Sequence, residues 1–185
     1  MDITARVTIL NIIEIDEIKS IFKVSFGLEL KWRDLYLKYN FLHGNSQKNV
    51  IKKNVLDEMW IPKYQFSSLM NSGTLFETVR YFYVEKNGPA MMVDEVTETY
   101  SGNENFLVLE TMNQASFICF FDNIKFYPFG MQKCFFKIFI PGIDNKLTKL
   151  IHENFLNVGP KSVGEYQIID WKVRGKFHQQ YKDNK

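Results

Sequence analysis

The amino-acid sequence predicts an all-β chain folded as a β-sandwich, and three observations predict it. The stretch FKVSFGLELKW, residues 22–32, alternates apolar and polar residues along its whole length. Six further short apolar runs are divided by breaks rich in Gly, Asn and Pro. Aromatic residues make up 16% of the chain, with 17 Phe, 9 Tyr and 3 Trp, and flat rings pack well on pleated surfaces.

In chain order, the first run is RVTILNIIEI at 6–15. In the second, Phe22, Val24, Phe26, Leu28, Leu30 and Trp32 share one face, with Lys23, Ser25, Gly27, Glu29 and Lys31 on the other. A helix would scatter these positions around its circumference, so period two means a long half-buried strand. TVRYFYV (78–84), FLVLE (106–110), SFICFF (116–121), CFFKIFI (134–140) and YQIIDWKV (166–173) follow as shorter strands. The breaks HGNSQKN, MNSGT, EKNGP, YSGNEN, PGIDN and VGPKSVG carry the turn residues between them. Many short strands with turn punctuation and no helical periodicity indicate a sandwich. There is no repeat, low-complexity tract or linker, so residues 1–185 read as one domain, long enough to bury a core without metals.

Several function classes are excluded at this level. Net charge is only +2 and no segment is densely basic, which argues against a nucleic-acid partner. The longest fairly apolar stretch without charge, TMNQASFICFF, falls well short of the ~20 residues that a bilayer requires. The N-terminus MDITARVTILNIIEID carries early charges and reads as no signal peptide. No paired acidic motif, Gly-rich phosphate loop or Ser/His/Asp set stands in a recognisable context, so neither an enzyme nor a cofactor is expected.

The only two cysteines, Cys119 and Cys134, bracket the segment CFFDNIKFYPFGMQKC. A structural metal needs four close ligands, whereas His43, His152 and His178 lie in unrelated segments, so no metal site is expected. A catalytic thiol needs a positioned base, and Phe and Ile neighbours raise a thiol's pKa. Two readings remain: buried free cysteines acting as small apolar residues, or a disulfide closing the loop. The apolar tip around Tyr127-Pro128-Phe129-Gly130 favours the disulfide, given an oxidising compartment.

With these residues assembled, the chain resembles the extracellular ligand-binding domain of the Cys-loop receptors, the pentameric ligand-gated ion channels. That family closes a loop by a disulfide around an aromatic-Pro-aromatic-Asp centre, with Gln two residues before the second Cys. Phe126-Tyr127-Pro128-Phe129-Gly130 and Gln132-Lys133-Cys134 follow it in order. IDEI at 15–18 resembles the acidic first hairpin turn, and Trp32-Arg33-Asp34-Leu35-Tyr36-Leu37 the family's Trp-x-Asp-x-Arg-Leu. Trp60-Ile61-Pro62 resembles its Trp-x-Pro-Asp, and VGPKSVGEYQI at 158–168 the strand leading towards the ligand-capping loop.

The resemblance implies an immunoglobulin-like twisted sandwich of about nine or ten strands, the last at or beyond the end of the chain. It implies a disulfide between Cys119 and Cys134, and a homo- or hetero-pentamer with small-molecule ligand bound between subunits. It implies coupling to the pore through Asp16, Glu17, Phe126, Tyr127, Pro128 and Phe129, with Trp32, Asp34, Trp60 and Pro62 as structural motif residues and both tryptophans buried. The location implied is the extracellular face of the plasma membrane, held there by membrane helices absent from these residues.

The departures from the pattern are specific. Fourteen residues separate the cysteines against the family's usual thirteen, and Gly130, Lys63 and Tyr36 replace Asp, Asp and Arg. The aromatic-box positions, which bind amines by cation–π attraction, fall on Gly27, Ser67 and Pro141. No vicinal cysteine pair follows Trp171. A divergent, invertebrate-type member is therefore expected, with Phe66, Tyr100, Phe177 and Tyr181 as the aromatic residues nearest the family's ligand loops. Two other readings are an adhesion or interaction module on an immunoglobulin-like sandwich, and a soluble secreted binding protein of the same fold.

Overall fold

The alternating stretch forms one strand whose apolar members Phe22, Val24, Phe26, Leu28, Leu30 and Trp32 are all buried, while the residues between them are half-buried. The structure, a computed structural model, describes residues 1–40, 42–43, 45–69, 75–93, 98–119, 121, 133–141 and 148–170. In chain order the elements are β1 (Asp2–Asp16), β2 (Ile21–Trp32), β3 (Lys38–Tyr39), β4 (Lys48–Val50), α1 (Lys53–Leu56), β5 (Gln65–Ser67) and β6 (Phe76–Glu85). There follow β7 (Met91–Met92), β8 (Glu98–Ser101), β9 (Phe106–Ile118), β10 (Lys137–Phe139), β11 (Lys149–Asn157), β12 (Ser162–Val163) and β13 (Tyr166–Gln167).

The main sheet has six strands in the order β11-β1-β2-β9-β6-β4. All its neighbours are antiparallel except β1 and β11, which run parallel from Asp2 opposite Lys149 to Ile9 opposite Asn157. β5 and β10 pair as the second layer. Phe66 of β5 packs edge-on against Phe26 of β2 at 5.3 Å and against Phe117 of β9 at 5.9 Å. Phe136, which leads into β10, stacks on Phe117 at 4.6 Å. Rings from both layers thus interlock into one core, each edge-to-face pair adding about 0.5–1.5 kcal/mol beyond its area burial. This is a β-sandwich. Two smaller sheets, β3-β8-β7 and the hairpin β12-β13, complete it.

Nine strands among the described residues have three or more residues, and four have two. FLVLE and the first three residues of SFICFF belong to one continuous strand, β9, since Thr111, Asn113 and Ala115 carry the core-facing alternation between them. Two polar core residues hid that continuity from hydropathy. β11 has no clean alternation because it is an edge strand exposed along most of its length. CFFKIFI shortens to Lys137–Phe139, and the only strand within YQIIDWKV among the described residues is Tyr166–Gln167.

One expectation about the tryptophans is corrected. Trp32 is buried, but Trp60 is 43% exposed. Trp60 lies on the connection before β5 and packs its edge against Trp32 at 6.2 Å, so it covers the core instead of filling it. No helix of the described residues is long and apolar enough to cross a membrane.

Candidate functional site

At one end of the sandwich the first hairpin turn, the end of β9 and the start of the cysteine loop converge. Cys119 and Cys134 form a disulfide with Cα atoms 4.8 Å apart, which removes the alternative of free cysteines. The Cys119 amide donates to the carbonyl of Ser20, in the β1–β2 turn, across 2.8 Å. One residue earlier, the Ile118 amide donates to the carbonyl of Ser68, just past β5, across 2.7 Å. Ser20 and Ser68 are the two non-glycine residues with positive φ among those described, at 54° and 65°. Each left-handed turn aims a carbonyl at the same dipeptide, so the main sheet, the second layer and the disulfide are joined at one point.

The turn itself is closed by its acidic residue. Asp16 accepts from the Lys19 amide at 2.9 Å and pairs with the Lys19 ammonium at 2.8 Å, which holds its carboxyl below the usual aspartate range. Glu17 supplies its backbone carbonyl to the Ser20 amide. Asp16 therefore shapes the turn from within, and Ile18 at the tip is left 98% exposed. Phe126, Tyr127, Pro128 and Phe129 lie outside the described residues.

The remaining motif residues are structural. Asp34 accepts from the Tyr36 amide at 3.0 Å and so turns the chain after β2. Gly102 packs against that turn, donating to the Leu37 carbonyl at 2.9 Å. A Cβ on Gly102 would lie 2.9 Å from the same oxygen, which accounts for the glycine there. Pro62 is buried beside the exposed Trp60.

The candidate ligand residues separate. Phe66 is a correction: its ring is buried among Phe26, Tyr64, Phe117 and Phe136 and presents no face to a ligand. Tyr100 is a correction as well. It is buried on β8, its hydroxyl donates to Glu98 at 3.0 Å, and the Lys86 ammonium lies 5.2 Å from its ring centroid. Both were marked by sequence distance from family motifs, which does not report which way a ring points. Phe177 and Tyr181 lie outside the described residues. Of the box positions, Ser67 is half-buried on β5, Pro141 is exposed, and Gly27 sits opposite Thr8 and Met112 with no atom within 3.8 Å of where a Cβ would stand.

The open face of the main sheet carries a charged array that the sequence reading took only as the polar side of β2. Register places Arg6, Glu29, Glu110 and Tyr81 in one row across β1, β2, β9 and β6. Arg6 divides its guanidinium between Glu29 at 3.4 Å and Glu153 of β11 at 3.3 Å. Lys31 holds both oxygens of Glu85 at 3.0 Å, and Lys31 and Arg33 both lie over the Phe106 ring, at 4.3 and 4.2 Å. Burial raises the Glu29 carboxyl above its ordinary range; Arg6 opposes that shift and Glu110 reinforces it. The Lys48 ammonium lies 4.6 Å from the Tyr83 ring centroid, and the attraction of that side chain raises it in turn. Among the described residues no group of His, Cys, Asp and Glu has the grouping of a metal site.

A family model described as the neurotransmitter-gated ion-channel ligand binding domain matches residues 1–157, from β1 to the end of β11. No curated protein matches the chain.

Proposed function

The chain belongs to the neurotransmitter-gated ion-channel ligand-binding domain family, and we propose that it is the extracellular part of a channel subunit. The family is one of channel domains and not of enzymes. In this reading five subunits form a ring at the plasma membrane, and a small molecule binds between neighbours. Its arrival displaces a stiff sandwich whose close-packed core passes the movement on undamped. The displacement leaves through the β1–β2 turn and the disulfide loop, where Phe126, Tyr127, Pro128 and Phe129 press on the membrane helices of the subunit. Asp16 and Glu17 act there by setting the turn's shape, with Ile18 as its apolar tip.

The observation that carries this reading is the bond from Cys119 to Ser20, because it makes the two coupling elements one mechanical unit. The residues at Gly27, Ser67 and Pro141 do not support an aromatic cage, so we propose that any ligand is held by other contacts, with Phe177 and Tyr181 as candidates from the capping segment. A fusion of the chain to the pore domain of a family channel tests the proposal, screened against small amines and amino acids in a recording cell. Five-fold particles and a ligand-evoked current are expected. The double variant Cys119→Ser, Cys134→Ser should keep the particles and lose the current. Monomeric particles, or a current indifferent to that variant, would overturn the reading.

A further inference from the structure

Glu29 and Glu110 stand directly opposite each other on the two central strands of the main sheet. Cross-strand partners have Cβ atoms about 4.5–5.5 Å apart, and like charges so placed repel. On Glu29 the strongest opposing charge is Arg6, which is not held there alone. From β1, Arg6 reaches Glu29 but is shared with Glu153 of β11. From β2, Lys31 is taken by Glu85 of β6. From β4, Lys48 lies over the Tyr83 ring at 4.6 Å and attracts both carboxylates, though less than it does Tyr83, and Tyr81 of β6 lies opposite Glu110. Glu110 makes no ion pair among the described residues. Burial first, and the Glu110 carboxylate after it, therefore hold a proton on Glu29 more tightly than an ordinary glutamate would.

Arg6 gives this pair a mechanical outlet. Its contacts to Glu29 and Glu153 are both longer than the 2.7–2.9 Å of a well-made charge-assisted bond, and its buried Nε–H has no partner among the described residues. The guanidinium is therefore stretched between β2 and the edge strand β11. We propose that Glu29, facing Glu110, is a proton sensor, and that its taking up a proton releases Arg6 from Glu29 to Glu153, fastening β11 more firmly to the sheet. β11 runs into Val158, whose amide donates to the Ile9 carbonyl at 3.0 Å, and from there to the β12–β13 hairpin. Proton uptake on the open face thereby sets how tightly the segment beyond β11 is anchored. The proposal does not depend on the channel reading, since it concerns the chain alone.

The experiment is a carbon-detected NMR titration of glutamate carboxyls in the whole chain, with amide hydrogen exchange read in parallel. Glu29 should titrate above an ordinary glutamate in the wild type, and its midpoint should fall in Glu110→Gln. Amides of β11, corrected for intrinsic exchange, should be protected up to about fivefold more below that midpoint than above it, the ceiling for a solvent-reachable ion pair. Glu29→Gln should give the higher protection at every pH, while β9 amides stay unchanged throughout. If Glu110→Gln does not fold, Glu110→Thr, a β-branched residue suited to a strand, carries the same test on the Glu29 midpoint. A Glu29 midpoint indifferent to Glu110, or β11 protection equal on both sides of it, overturns the proposal.

Discussion

The Cys119 amide and the Ser20 carbonyl meet at 2.8 Å, so the disulfide is bonded to the first hairpin turn before its loop begins. Replacing both cysteines by serine therefore removes a staple from a joint that remains hydrogen-bonded. With a sequence separation of 15, the bridge is worth ~3 kcal/mol by chain entropy. At roughly 2–4 °C per kcal/mol for a chain of this size, the double serine variant should melt about 6–12 °C lower. Calorimetry checks it, and an unchanged midpoint would count against the staple.

Ser20 and Ser68 occupy left-handed backbone, which costs an L-residue about 1–2 kcal/mol, while glycine pays only its greater freedom when unfolded. Ser20→Gly and Ser68→Gly should each stabilise the chain by up to ~1 kcal/mol in urea titrations. Loss of stability in both would show that the hydroxyls hold these turns.

Phe66 is a core residue. Phe66→Ala should cost ~3–5 kcal/mol, the usual range for a buried ring. Trp60→Ala, removing a half-exposed ring, should cost less than half of what Trp32→Ala costs. Equal losses at the two tryptophans would mean that the Trp60 ring is held as firmly as a core residue.

Asn113 is buried with its Oδ1 unpartnered among the described residues, although its Nδ2 donates to Thr111 at 2.8 Å. A buried acceptor without a donor costs about 1–3 kcal/mol, against ~1 kcal/mol gained from one neutral hydrogen bond. Asn113→Leu should consequently leave stability unchanged or raise it, measured by thermal melting. A large drop would reveal a partner for that oxygen.

Asp16 is held below its ordinary value of 3.8 by Lys19. A carboxyl lowered in the folded state adds stability above its unfolded pKa and loses it as pH falls through the folded one. Asp16→Asn keeps an oxygen for the Lys19 amide and loses only the charge. The wild type should exceed this variant in stability at neutral pH, and the gap should close as pH drops below the ordinary aspartate range. A gap independent of pH would assign the effect to geometry alone.

The sandwich and β2 were legible because six apolar residues at period two leave one arrangement that buries them all. The cysteine loop was legible because its residues are chemically rare in that order. Phe66 and Tyr100 were misplaced as ligand contacts, since an aromatic letter does not say which layer its ring faces. The Glu29–Glu110 pairing could not be read at all, because it depends on register between strands some eighty residues apart in the chain. Nor could the role of Ser20 and Ser68, as serine carries no left-handed signature.

The parallel pairing of β1 with β11 joins the first residues of the chain to residues 149–157. On a ribosome adding about 5–20 residues per second, the outer margin of β1 waits on the order of ten seconds for its neighbour to be made. Throughout that interval it offers unpaired amides and carbonyls to any passing strand, its own sister copies included. Biosynthesis of this molecule is thus exposed to misassembly along β1, and a chaperone shielding that nascent edge should raise its yield more than one acting on the finished chain.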